Sequence, residues 1–471
     1  MGLSVSTTEA RTGTPGNDAL LNRSDDPVFR VRLERWLNDV IGGEILSLTP
    51  IVAGTRASWA VDVNRDGDVL PVIVRRTRDT LQIYGDGQRE TAIYAALAPT
   101  PVPVPAIYGV DRANSLVAAQ RVPGTDDLSA LDDDARETCC DAFMRHVADL
   151  HALDPSTLDL PPMAQPTTAR EHATLDVDHW QAFHEAHAPA NPVVTYACNW
   201  LRRNASDDVR RTVLVQGDTG PGNFVQHHGV VTAVVDWELS HLGDPYEDLG
   251  WIVARSLLFP FGDLRRRFDV YSEASGLPFD RTRIWHGAVG AMLKVLIAGD
   301  VVRAKGQDDP QYPIMVSGPA FHGRLVVEAL HMLSGTPVEK VALEPLPPTE
   351  AERDGSLAFV RTTLRERLLP TLTDAAQIGQ TKAALRTVRH LQRGERYDVP
   401  IEHQEVDELS TLLGSDVGSG AAGRALLASR LDAEAVDDAA TLAYLGRHVQ
   451  RETIRMAELL GPMASTPLPH F

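Results

Sequence analysis

Lysine is almost missing from this chain of 471 residues. Only Lys294, Lys305, Lys340 and Lys382 are lysines, and the other basic residues are arginines. None precedes Lys294, so no lysine can serve a ligand in the first half of the chain. Cysteine is scarce too. Cys139, Cys140 and Cys198 are odd in number, and the adjacent pair is poorly placed to bridge, which excludes a disulfide framework and points to a reducing compartment. No Cys/His spacing resembles a zinc site. Positive charge is in deficit: the formal net charge is -19. That excludes the basic surface of a general nucleic-acid or anionic-membrane binder, while suiting solubility or a cationic substrate. No apolar run reaches the length of a membrane span. Residues 1–26 are polar and turn-rich, without the basic start and apolar stretch of a secretory signal; they read as a disordered terminus of a cytoplasmic protein.

What is present divides the chain. Phe29, Leu33, Trp36, Leu37 and Val40 lie at helical spacing over Pro27 to Ile41. Three short apolar runs follow, Ile45 to Ala53, Trp59 to Val63 and Val69 to Arg75, separated by turn chemistry, as in an antiparallel meander. A helix is expected over Gly87 to Leu97, ended by Pro99, Pro101, Pro103 and Pro105. A strand pair, Ala106 to Val110 and Ser115 to Val122, runs to the hinge Pro123-Gly124. The chain then turns helical, with Phe143, Val147 and Leu150 on one face of Ala135 to Leu153. The domains expected are a small β-rich lobe over 27–122, a larger helical lobe over 123–335, a Pro-rich linker over 336–349 and a helical C-terminal domain over 350–471. In the last, Leu357, Val360, Leu364 and Leu368 form one stripe. Leu385, Val388 and Leu391 form a second, and Leu442, Leu445, Val449 and Met456 a third. A Gly/Ser-rich gap at Gly414 to Gly423 separates the last two. The fold class is α+β.

The chemistry concentrates between Val213 and Trp251. An apolar strand leads into Gln216-Gly217-Asp218, Asn223 follows five residues later, and a second apolar strand delivers Asp236 and Glu238. Phosphoryl transfer from Mg-ATP needs such a set: one carboxylate to accept the proton of the attacking hydroxyl, and an amide and a carboxylate to hold the metal. Asp218 is the candidate base, with Asn223 and Asp236 as metal ligands. Glu238 can add a second metal oxygen or simply start a helix in solvent. A carboxylate at the end of a buried strand, as at Asp236, is costly unless paired or metal-bound.

These residues resemble the aminoglycoside phosphotransferase family, whose fold is similar to that of protein kinases. The family pattern H-G-D-x-x-x-x-N, strand, D-x-E/D, G-D-P-x-x-D-L stands here as Gln216-Gly217-Asp218, Asn223, Asp236-Trp237-Glu238 and Gly243-Asp244-Pro245-Tyr246-Glu247-Asp248-Leu249. The resemblance implies a two-lobed fold, ATP and Mg²⁺ as cofactors, and a small-molecule alcohol as acceptor. It implies Asp244 and Asp248 as structural carboxylates and Arg75 as the phosphate-binding cation, with Glu90 as its helix partner. Gly54 to Ser58 would be the loop over the nucleotide phosphates, and Ala119 to Val122, with Arg121, the hinge that meets adenine. Three departures stand out: Gln216 replaces the family histidine, Arg75 replaces a lysine, and the nucleotide loop has a single glycine. Arginine can fork onto two phosphate oxygens, and glutamine can still brace the loop by hydrogen bonding.

Two acceptor classes compete. A polycationic antibiotic wants a ring of carboxylates, for which Asp126, Asp127 and Asp132 to Asp134 are candidates, although such a run also suits a solvated helix start. The words Val-Arg-Arg, Gln-Arg-Val-Pro-Gly and Asp236 to Pro245 resemble instead the kinase modules found with acyl-CoA dehydrogenases, which phosphorylate hydroxyacyl-CoA thioesters. This metabolic reading is favoured. Arg265-Arg266-Arg267 is then either a patch for CoA or a solvated helix face. A third reading, of another class, is a pseudokinase-like nucleotide-binding module, against which the intact Asp218, Asn223 and Asp236 argue. The helical tail can pack on the second lobe, cap the substrate cleft or form a homodimer.

Overall fold

A computed structural model describes residues 27–51, 58–76, 88–208, 211–304, 312–347, 355–433 and 436–471. The expected disordered terminus and Gly54 lie outside the described residues. The chain divides into two compact units, Met1–Arg78 with Pro105–Val122, and Asp79–Val104 with Pro123–Phe471.

The first unit is a five-stranded antiparallel sheet covered by one helix. Helix α1 (Pro27–Val40) precedes strands β1 (Glu44–Ile51), β2 (Ser58–Arg65) and β3 (Asp68–Arg76); β4 (Ile107–Asp111) and β5 (Leu116–Gln120) complete a sheet of order β1-β2-β3-β5-β4. Phe29, Leu33, Leu37 and Ile41 recur every four residues, so they share one face. They form a buried core with Trp59, Val61 and Val63 of β2, Val72 and Val74 of β3, and Leu116 and Ala118 of β5. Side chains alternate across a strand. Val72 and Val74 are therefore buried on the helix-covered face, and Arg75 stands half-exposed on the other.

The second unit begins with α2 (Gln88–Leu97) and is otherwise built after Val122. Its helices are α3 (Asp133–Ala152), α4 (Ala169–His187), α5 (Pro192–Arg203), α6 (Pro245–Ser256), α7 (Leu264–Ser275), α8 (Arg281–Ala304) and α9 (Tyr312–Ser334). Short side chains start them. Asp132, Thr168, Asn191 and Asp263 each accept a backbone N–H from the first turn of the helix they cap. Two small antiparallel pairs carry the motif residues: β6 (Val213–Val215) with β9 (His241–Gly243), and β7 (Phe224–His227) with β8 (Val230–Val234). Helices α6 and α8 touch backbone to backbone. A Cβ at Gly250 would lie 2.1 Å from the carbonyl carbon of Gly287 and 2.3 Å from Ala288 N.

The tail is helical and packs within this unit. It contains α10 (Ser356–Thr362), a π turn (Thr363–Leu368), α11 (Ala375–Leu413), α12 (Gly420–Asp432) and α13 (Asp438–Leu460). The third stripe behaves as its spacing predicts: Leu442, Leu445, Val449 and Met456 are buried, and α13 packs against α9 and α11. The first stripe does not. Val360 and Leu368 are exposed and Leu357 and Leu364 only half-buried, and a π turn shifts the helical phase after Thr362. The second is split, with Leu385 buried and Leu391 exposed. The Gly/Ser-rich gap also needs correction. Gly414 ends α11 in the left-handed region, but Ser419 caps α12, which begins at Gly420. A side chain at Gly423 would strike Leu409, so that glycine permits close helix packing rather than breaking the helix. Glu405 of α11 is buried among His448, Arg424 and Arg451. Burial opposes its charge, but those cations outweigh it and hold the carboxyl at about 2.

Three outcomes are expected. Gly250→Ala should destabilise the protein by about 1–3 kcal/mol in urea unfolding. Gly290→Ala, on α8 with open space at its Cβ, should change stability by no more than about 1 kcal/mol. Because the folded pKa of Glu405 is depressed from 4.5 to about 2, its contribution is complete above 4.5 and is lost as pH falls toward 2. Glu405→Gln should therefore flatten that acid limb of the unfolding midpoint against pH.

Candidate active site

Strand β6 is wholly buried and releases Gln216-Gly217-Asp218 at its end. The loop is fastened from behind by Asp248, in the first turn of α6. Its carboxylate accepts the backbone N–H groups of Gln216 (2.9 Å) and Gly217 (3.0 Å) and the hydroxyl of Thr219 (2.5 Å). His151 Nε2 lies 3.0 Å from the same carboxylate, and its Nδ1 meets the Tyr271 hydroxyl at 2.7 Å. Burial disfavours the Asp248 charge, yet these partners outweigh it and the carboxyl lies below its ordinary range. Gln216 takes up the role expected of it: its side-chain amide donates to the Val235 carbonyl at 2.6 Å, one residue before Asp236.

The three central side chains come together. The Asn223 amide donates to the Asp218 carboxylate (2.6 Å) and carbonyl (2.8 Å). Val235 N donates to Asn223 O at 3.0 Å, tying the loop to the strand end. Asp236 follows in a left-handed conformation, φ 67°, rare for a residue with a side chain, and its N–H donates to the Tyr94 hydroxyl of α2. Arg255, at the end of α6, was not foreseen. Its Nη1 lies 2.7 and 2.8 Å from the two Asp218 oxygens, and its Nε donates to Pro221 O at 2.7 Å. It lies 37 positions from Asp218 in sequence, outside any motif spacing. Burial pushes the Asp218 carboxyl up to about 6; Arg255 opposes the rise, the charge of Asp236 adds to it, and Asn223 opposes it. Glu238 is exposed, two residues beyond Asp236. Because Asn223 spends its N–H on Asp218, its amide oxygen faces the other way. That oxygen and the Asp236 carboxylate are hard donors of the kind Mg²⁺ takes.

The remaining expected residues are placed as follows. Arg75 pairs in register with Ser58 and Val117 across the sheet of the first unit, and Ser58 is buried. Arg121 follows β5; its N–H donates to Pro71 O and its guanidinium pairs with Asp62. Glu90 is buried on α2. Asp127 and Asp132 are caps, of a short 3₁₀ turn and of α3, which is the helix-start reading rather than a carboxylate ring. Of the three arginines of α7, Arg265 and Arg266 lie on the solvated face that the run suggests, and Arg267 alone is buried. Arg267 is fully buried and paired with Glu137 and Asp141, Arg266 pairs with the same two, and Arg265 pairs with Asp269. Arg267 departs from that reading because its carboxylate partners come from α3, more than a hundred residues away.

Under the loop lies a second charged cluster that no motif announced. The ligand atoms of Asp176, His241 and Glu247 lie within 4.8 Å of one another. The Lys294 ammonium pairs with Asp176 and lies 3.5 Å from Glu247, so a cation is already built in. Burial disfavours the Glu247 charge, but His241 and Lys294 hold it down to about 2. The cluster joins α4, β9, α6 and α8 beneath the strand that delivers Asp218. Asp248→Ala would strand four buried donors around that loop. It should cost about 3 kcal/mol or more of stability in denaturant unfolding and lower turnover without touching any reacting atom.

The model of the phosphotransferase enzyme family matches residues 47–285, about half of the chain. Mouse acyl-CoA dehydrogenase family member 10 is 27% identical over 176 residues, covering 35% of this chain and 16% of that one. Human acyl-CoA dehydrogenase family member 11 is 29% identical over 191 residues, 38% of this chain and 24% of that one. The match thus spans less than a quarter of the length of these relatives. Among solved structures, a Ralstonia eutropha protein provisionally called an aminoglycoside phosphotransferase superposes with a TM-score of 0.51 at 18% identity, covering 65% of this chain and 99% of its own. A choline kinase from Streptococcus pneumoniae gives 0.50 at 15% identity, with the same coverage. These likenesses establish a protein-kinase-like fold, with a small β-rich part and a larger helical one. Among the described residues no helix is long and apolar enough to cross a membrane. The chain belongs to the phosphotransferase enzyme family.

Proposed function

We propose that the protein transfers the γ-phosphoryl group of ATP, with Mg²⁺, to the hydroxyl of a hydroxyacyl-CoA-type metabolite. The observation that carries this reading is the joint placement of Asp218, Asn223 and Asp236, linked by the hydrogen bonds of Asn223 and by the effect of one carboxylate on the other. Asp218 accepts the proton of the acceptor hydroxyl as its oxygen attacks the γ-phosphorus and the bond to the ADP leaving group breaks. Arg255 and Asn223 fix the rotation of that carboxylate, which turns binding into near-attack geometry. Asn223 and Asp236, with Glu238 in reach along the chain, would hold Mg²⁺, which when bound neutralises charge on the phosphate oxygens. Arg75, Ser58, Arg121 and Glu90, with Gly54, are assigned to the nucleotide. The acyl-CoA preference draws support from the names of the relatives.

Asp218→Asn should lower phosphoryl transfer by about 10²–10⁴-fold, the usual worth of a positioned base. The nucleotide-induced rise in melting temperature should persist, since ATP binding does not use this carboxylate. Near-normal turnover in the variant would remove Asp218 as base. A melting shift without turnover of any alcohol by the unaltered enzyme would favour a nucleotide-binding module.

A further inference from the structure

The segment after α6 carries an apolar surface next to Arg255, the arginine that grips the candidate base. Leu258 is 47% exposed and Phe259 39% exposed, in a protein whose other aromatic rings near the loop are buried. The segment is held firmly. Leu258 N and Phe259 N both donate to Arg255 O, at 3.0 and 3.1 Å. Two residues on, Phe261 is buried against Phe143 and Phe224, the latter being the residue after Asn223, with ring centroids 6.1 and 6.5 Å away. Arg267 donates to Phe261 O at 3.2 Å. Phe261 thus anchors the turn from below, while Phe259 is displayed above.

The display adjoins the arginine that holds the base. The Phe259 ring lies 5.3 Å from the Arg255 guanidinium, the group that grips both Asp218 oxygens. It borders Gly222, where a Cβ would come within 3.3 Å of the ring and 2.6 Å of Arg255 Nη2. A rigidly held, exposed aromatic ring gains free energy only when something covers it. What arrives at Asp218 is the acceptor.

We propose that Phe259, with Leu258 beside it, selects the acceptor by seating an apolar chain attached near the reacting hydroxyl. This rests on the reading of Asp218 as base and names the part of the substrate that reading leaves open. A polycation is the wrong partner here. The side chains that meet it on this side are a guanidinium and an aromatic ring whose neighbour is already that guanidinium.

The test uses β-hydroxybutyryl-, β-hydroxyoctanoyl- and β-hydroxydodecanoyl-CoA, with kanamycin as the polycation, followed by ADP release and by titration calorimetry. In the unaltered enzyme kcat/KM should rise about two- to fourfold per methylene while the chain still lengthens over the ring. Phe259→Ser should lower the long-to-short ratio at least about tenfold, through KM rather than kcat. Leu258→Ser should lower it less, and Val230→Ser, at an exposed valine on β8, should leave it unchanged. A flat chain-length profile in the unaltered enzyme, an unchanged ratio in both Phe259→Ser and Leu258→Ser, or a preference for kanamycin would overturn the proposal. If no acceptor is phosphorylated, the kinase reading of Asp218 fails on its own, and calorimetry still decides this one. A negative heat-capacity change that grows with chain length and is lost in Phe259→Ser supports the shelf, and its absence in the unaltered enzyme overturns it.

Discussion

The catalytic half of this protein depends on a single buried carboxylate. A lone ionised Asp248 in that environment would be prohibitively unfavourable, and it is tolerated because two backbone amides, a hydroxyl and a histidine surround it. The dependence is mutual. Three of those donors, from Gln216, Gly217 and Thr219, belong to the turn that presents Asp218, and without the carboxylate they would lose this partner in a buried site. The spacing of the Gly-Asp-Pro-x-x-Asp segment follows from this. Asp244 caps α6, Glu247 closes the capping box, and Asp248 sits about 100° further round the helix. Glu247 therefore meets Lys294 and His241, while its neighbour meets the loop. One helix start braces the site on two sides.

The charges at the site follow a related logic. Asp218 stands between a carboxylate that raises its pKa and an arginine that lowers it. Arg255 also binds the Pro221 carbonyl, so it fixes the loop and the base together. Asp236 reaches its place by a left-handed backbone turn that most residues avoid, a form of local strain kept where a side chain must be redirected at the end of a strand.

Much of this was legible in the sequence because it is encoded at short range. The strand-loop-strand segment, the helix of Phe29 to Ile41 and the third tail stripe have periodicities that the structure uses directly. Gln216 was readable as a brace because its chemistry admits little else on a buried loop. What stayed hidden depends on contacts between distant segments. Arg255 carries no spacing signal, and the Asp176–His241–Glu247–Lys294 cluster draws one residue from each of four elements. Arg267 looked like surface because a buried arginine is rare without partners, and its partners lay on α3. Gly420 and Gly423 looked like a break because glycine weakens isolated helices, whereas here it lets two helices approach.

The burial of Lys294 has a practical consequence. Acyl-phosphate nucleotide probes mark kinases by acylating a lysine amine close to the bound triphosphate. In this chain no lysine precedes position 294, and the amine found there is locked between two carboxylates inside the protein. Such reagents find no lysine amine to acylate in the first 293 residues, which include every residue assigned above to the nucleotide.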